Sequence, residues 1–169
     1  MIFYPKSYFN NILEVKPEFI KENNIQAILL DIDNTLLDYH NNIVEGLEDW
    51  VENLKKQNIK FCILSNTNKK KKAERISKLL DIPYIFFAKK PFKFGFNKAK
   101  KILQIQDNKK IAVIGDQVIT DILGANRCEM YSILVEPLNE RDIFVTKINR
   151  LIEKQILKRY FNKNNINKK

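Results

Sequence analysis

Five short apolar runs, "IQAILLDI", "IKFCIL", "YIFFA", "KIAVIG" and "YSILVE", recur along this chain, and the segments between them have a different period. The runs are rich in Ile, Val and Phe, as buried strands are. Between them, Leu47, Trp50, Val51 and Leu54 stand at i, i+3, i+4, i+7. Ala73, Ile76 and Leu80 follow the same rule with one position missing, and Phe96, Ala99 and Leu103 repeat it. Each set makes one apolar helix face. Residues 118–127 read as a shorter helix and 141–160 as a longer one, with Phe144, Ile148, Leu151 and Ile152 on one face. Strand alternating with helix predicts an α/β fold: a single Rossmann-like parallel sheet with helices on both faces and right-handed crossovers.

The 169 residues suit one domain with a substantial core. Residues 1–25 stand apart as a helical arm packed over that core, Pro17 starting a helix that reaches about Glu22. The main α/β domain is expected over 26–161, and 162–169 as a disordered basic tail. Cys62 falls in a strand-like run and Cys128 after a helix, which fits free thiols in a reducing, intracellular setting. No stretch approaches the ~18 consecutive apolar residues of a spanning helix, and the first residues lack the pattern of a secretory signal.

Ligands of open parallel sheets bind beyond the carboxyl ends of the strands. Four of these ends carry polar residues: Asp31, Asp33, Asn34 and Thr35; Ser65, Asn66 and Thr67; Lys89 and Lys90; Asp116 and Asp121. Several carboxylates on one rim repel unless a cation lies among them, and all-oxygen ligands beside a phosphate suit Mg²⁺. Asp31 and Asp116 are the natural carboxylate ligands, with the backbone carbonyl of Asp33 as a third. Asp31 keeps an oxygen for nucleophilic attack on phosphorus. Asp33 can protonate the leaving alkoxide and then deprotonate water. Lys90 and the Ser65 hydroxyl can hold phosphoryl oxygens, with backbone N–H groups near Asn66 as further donors.

This constellation resembles the haloacid-dehalogenase-like phosphatases: D-I-D-N-T at 31–35, Ser65-Asn66, Lys90-Pro91, and G-D-x-x-x-x-D from Gly115 to Asp121. The stretches "LDIDNTLLDY", "ILSNTN", "IPYIFFAKKP" and "VIGDQVITDILGANR" are similar to YqeG-type members of subclass IIIA, a group with relatives that dephosphorylate phosphatidylglycerophosphate. The likeness runs from roughly Tyr8 to Leu157. It implies a Mg²⁺-dependent phosphomonoesterase with Asp31 as nucleophile, Asp33 as acid/base, and Thr35 orienting the first loop. It also implies Ser65, Asn66 and Lys90 as phosphoryl-binding residues, Asp116 as a metal ligand and Asp121 as its support. Gln117 and Arg127 match the subgroup without an assigned role.

Many relatives carry a cap domain over the site. Here residues 32–64 and 66–115 are filled by the strands and helices of the sheet itself, so an open rim is expected. The formal charge of +10, and Lys69 to Lys72, Lys89, Lys90 and Lys93 near the rim, favour anionic partners. The preferred substrate is therefore phosphatidylglycerophosphate, an anionic lipid head group met by peripheral contact at the inner membrane surface of the cytoplasm. Two other readings stand beside it: a soluble small-metabolite or polynucleotide-end phosphatase, and a non-catalytic RNA- or ribosome-binding module. The intact acid set argues against the module, and no RNA-binding motif with interleaved aromatics accompanies it.

Overall fold

In the computed structural model, residues 1–139 and 144–164 are described, with the side chains of 144–151 excepted. Six parallel strands form one sheet: β1 (Ser7–Phe9), β2 (Ala27–Leu30), β3 (Lys60–Leu64), β4 (Tyr84–Ile85), β5 (Ile111–Gly115) and β6 (Tyr131–Val135). Their spatial order is β1-β6-β5-β2-β3-β4. From β2 the chain winds outward to β3 and β4, then returns to β5 on the other side. The order therefore reverses between β2 and β5, the position at which such sheets open a crevice.

Strand pleating divides the core in two. In β2, Ile28 and Leu30 join one apolar cluster, while Ala27 and Leu29 join another on the opposite face. Helices α1 (Pro17–Glu22), α2 (Leu47–Lys56) and α3 (Lys70–Leu80) cover the first face. Helices α4 (Lys93–Leu103) and α5 (Leu123–Arg127) cover the second. The helical spacings are used as read: Leu47, Trp50, Val51 and Leu54 of α2 are all buried, each contributing about 1.5–3 kcal/mol at most.

Three segments differ from the sequence reading. The N-terminal arm is not only helical, because Ser7–Phe9 pairs with Ile133–Val135 and becomes an edge strand of the sheet. Ile12, Val15 and Ile20 bury behind it, and Trp50 of α2 donates its indole N–H to the Val15 carbonyl at 2.9 Å. The run "YIFFA" supplies only a two-residue strand. Phe87 and Lys89 then take left-handed backbone, with φ +50° and +55°, and Phe86 and Phe87 face solvent. The last helix, α6 (Phe144–Asn164), extends past residue 161, so 162–164 are helical rather than tail; 165–169 lie outside the described residues. Its Ile152 is 50% exposed, whereas Ile156, Leu157, Tyr160 and Phe161 pack inward. The side chains of Phe144, Ile148 and Leu151 lie outside the described set.

Candidate active site

Asp31 leaves β2 while its N–H still donates to the Ile114 carbonyl of β5, at 3.0 Å. The backbone then folds sharply. The Ile32 carbonyl accepts from the amides of Thr35, Leu36 and Leu37, and Asn34 takes the left-handed region at φ +61°, which a short polar side chain tolerates. This loop buries Asp31 and Thr35 and leaves Asp33 half-exposed. Thr35 lies beneath the rim, its hydroxyl directed at Asp116 across 3.5 Å.

Asp116 follows β5 directly. A wide π-helical turn, Val118–Ile122, then returns Asp121 towards the sheet. Such turns recur at functional sites because they re-aim side chains. Asp121 is buried and accepts the Gln117 amide at 3.2 Å. It lies so close to Gly115 that any Cβ there would overlap its carboxylate. Asp31, Asp116 and Asp121 each offer an oxygen, and these atoms lie within 4.8 Å of one another. Three buried carboxylate donors at that spacing fit a hard divalent cation.

Lys90 enters this cluster from the β4–α4 loop. Its Nζ donates to Asp31 and to Asp121, at 2.6 Å each, with its side chain almost fully buried. Burial works against the Lys90 ammonium, but Asp121 and Asp31 outweigh it and hold its pKa above the usual range. Burial also pushes the Asp31 carboxyl up; Lys90 opposes the rise, while Asp121 and Asp33 add to it. Asp31 thus carries a desolvation cost that further positive charge would offset.

Asn66 has a task that the sequence did not suggest. Its side-chain amide grips the backbone of Lys90 twice, Oδ1 accepting from Lys90 N–H at 2.7 Å and Nδ2 donating to its carbonyl at 3.0 Å. Ser65 is buried at the end of β3, and its Oγ accepts the Thr67 amide at 3.2 Å. Asp31, Asp33, Ser65, Asn66 and Lys90 line one cavity of about 230 Å³ together with Thr67, Gln117 and Thr120. The structure so brings these expected residues to one rim, while Asp116 joins Asp31 and Asp121 in the acid cluster and Thr35 reaches Asp116. The Asp33 carboxylate stays out of the three-acid cluster and pairs with Lys72 of α3. Lys72 was legible only as part of a lysine run at a helix start, where the dipole disfavours positive charge. Arg127 is exposed at the end of α5.

Among the described residues no cap intervenes: the chain between β2 and β3 holds only the loop bridged through Leu37 and Ile43, and α2. A doubly covered parallel sheet with acids gathered at its central strand ends, in a chain that matches a phosphatase family model over residues 2–138 and is 38% identical to a probable phosphatase, is a phosphatase of the haloacid-dehalogenase-like superfamily, a phosphoric monoester hydrolase. Solved structures share the fold. The cobalt-bound deoxy-D-mannose-octulosonate 8-phosphate phosphatase YrbI of Haemophilus influenzae matches with a TM-score of 0.55 at 16% identity, over 83% of this chain and 91% of that one. An uncharacterized protein from Listeria monocytogenes serotype 4b matches with a TM-score of 0.54 at 20% identity, over 79% and 97%. The chain belongs to the family described as mitochondrial PGP phosphatase, whose model matches residues 2–138. It is of YqeG type: the probable phosphatase YqeG of Bacillus subtilis (strain 168) is 38% identical over 156 residues, 92% of this chain and 90% of that protein.

Proposed function

We propose that this chain is a Mg²⁺-dependent phosphatase that forms an aspartyl-phosphate on Asp31 and converts phosphatidylglycerophosphate to phosphatidylglycerol. The observation that carries the substrate reading is the size and openness of the cavity. About 230 Å³ takes a phosphoryl group and little more, and among the described residues no cap encloses the remainder of the substrate. A head group whose bulk stays outside suits that shape, and the family description adds the particular lipid.

In this reading Asp31, Asp116 and Asp121, with the backbone carbonyl of Asp33, hold the ion. When bound, Mg²⁺ supplies positive charge to the phosphoryl oxygens. Asp31 attacks phosphorus, and the bond to the ester oxygen breaks. Asp33, on the wall of the same cavity, gives its proton to the departing alkoxide. It then takes a proton from the water that cleaves the aspartyl-phosphate, and inorganic phosphate leaves. Lys90 orients Asp31 and neutralises charge, Asn66 fixes Lys90, and Ser65 offers a hydroxyl to the phosphoryl group.

A panel of phosphatidylglycerophosphate, phosphatidic acid, glycerol 3-phosphate, a nucleoside monophosphate and a phosphorylated oligonucleotide, assayed with Mg²⁺ and with chelator, tests the reading. Turnover should require Mg²⁺ and favour phosphatidylglycerophosphate, and Asp31→Asn should lower it at least roughly a thousandfold. Faster turnover of a soluble ester would remove the lipid assignment. An active Asp31→Asn variant would remove the nucleophile.

A further inference from the structure

Four of the ten exposed large apolar side chains among the described residues fall within nine positions, in the β4–α4 loop and the first turn of α4: Phe86, Phe87, Phe92 and Phe94. They are 36%, 55%, 63% and 67% exposed. Single exposed hydrophobics are ordinary, but a run of phenylalanines beside a catalytic lysine is not. The loop is also held in place. The Phe87 amide donates to the Thr67 carbonyl and the Ala88 amide to the Ser65 carbonyl, both at 2.9 Å, so it is tied to the site wall. Phe87 keeps a left-handed φ that bulky residues avoid, and Ala88, its small neighbour, is the one buried. Such strain persists where the surroundings over-determine it.

Charge narrows the partner. From residue 82 to 106 the sequence contains six lysines and no aspartate or glutamate. Lys89 lies over the Phe87 ring, 5.3 Å from its centroid, and Lys93 is exposed between Phe92 and Phe94. Aromatic rings interleaved with lysines are the composition that enters the head-group layer of an anionic bilayer. The N-terminal arm, the other aromatic-rich segment, turns aromatic rings inward: Phe9 and Phe19 stack edge-to-face at 5.1 Å, and Phe19 meets Tyr131 at 5.9 Å.

We propose that residues 86–94, the β4–α4 loop with the first turn of α4, are the surface by which the enzyme docks on an anionic lipid membrane, the phenylalanines entering the interface while Lys90 stays in the site. This inference rests on the lipid-substrate reading and gives it a location. Docking through this loop brings the open rim to the head groups, so a membrane-borne phosphate ester can reach Asp31 without leaving the bilayer.

Co-sedimentation of the full chain with vesicles of phosphatidylcholine, alone or mixed with phosphatidylglycerol, tests it. These lipids carry no phosphate monoester, so binding is read separately from turnover. The protein should pellet with the mixed vesicles only. Phe92→Ser and Phe94→Ser should each weaken partition about tenfold, and Lys93→Ala about fivefold. Circular dichroism and turnover of p-nitrophenyl phosphate should stay unchanged in the single variants. Equal partition of wild type and both phenylalanine variants would overturn the proposal, as would wild type that stays in the supernatant. Self-association lost in those variants, with vesicle binding intact, would assign the loop to a second copy instead. Intact, phenylalanine-dependent docking without hydrolysis of phosphatidylglycerophosphate would uphold the surface and remove only the substrate.

Discussion

Gly115 shows how much the site depends on a single absent side chain. Asp121 can lie against β5 because nothing projects from Gly115, and its carboxylate is already held by Lys90 and by the Gln117 amide. Gly115→Ala should therefore displace Asp121, lowering turnover at least roughly tenfold while costing about 1–3 kcal/mol of stability; steady-state kinetics and urea unfolding read the two effects. Cys62 behaves oppositely, as an inert core thiol. Burial raises its pKa from 9.0 to about 12. Because the folded value exceeds the unfolded one, its contribution to stability is complete below about 9 and is lost as pH climbs towards 12. At pH 8.5, native protein should resist alkylation there, and urea-unfolded protein should react readily; peptide mapping separates Cys62 from Cys128. Asp31 and Asp116 were legible at this scale because each directly follows an apolar strand, and Asp33, Lys90 and Asp121 because each stands within a few residues of one. The Asn66 clamp on the Lys90 backbone and the pairing of Lys72 with Asp33 were not, since both join elements distant in the chain.

Helices were read from period with little loss, because α2, α3 and α4 each bury one face and no competing rule acts on them. Two strands were harder. β1 is a three-residue edge strand whose pairing is decided by β6, more than a hundred residues away. "YIFFA" has the composition of a buried strand, yet only its first two residues pair. Apolarity alone does not say whether a run faces a core or a partner. The contact between α2 and the N-terminal segment is specific in a testable way. Trp50→Phe keeps most of the buried ring and leaves the Val15 carbonyl without the indole donor. It should cost about 1–3 kcal/mol in chemical denaturation, with turnover unaffected below the transition.

Among the described residues, this strongly basic chain gathers three acids, Asp31, Asp116 and Asp121, in one buried cluster. An ion that binds this cluster only in the folded state stabilises the fold by mass action. At about a hundred times its dissociation constant, Mg²⁺ should raise the melting temperature by at least about 5 °C. Asp116→Asn should largely abolish that rise in differential scanning fluorimetry, with K⁺ as the control for ionic strength. No helix among the described residues is long and apolar enough to cross a membrane.

The pairing of β1 with β6 also bears on how the molecule is made. A ribosome releases the β1 segment first, yet its hydrogen-bonding neighbour is the last strand of the sheet to be translated. The early segment must wait, unmatched, while β2 to β5 assemble ahead of it. Closure is thus a late event of long sequence separation, of the slow kind that leaves a nascent chain in need of protection. Slowing translation between β5 and β6 would lengthen that interval without altering a single residue of the finished enzyme.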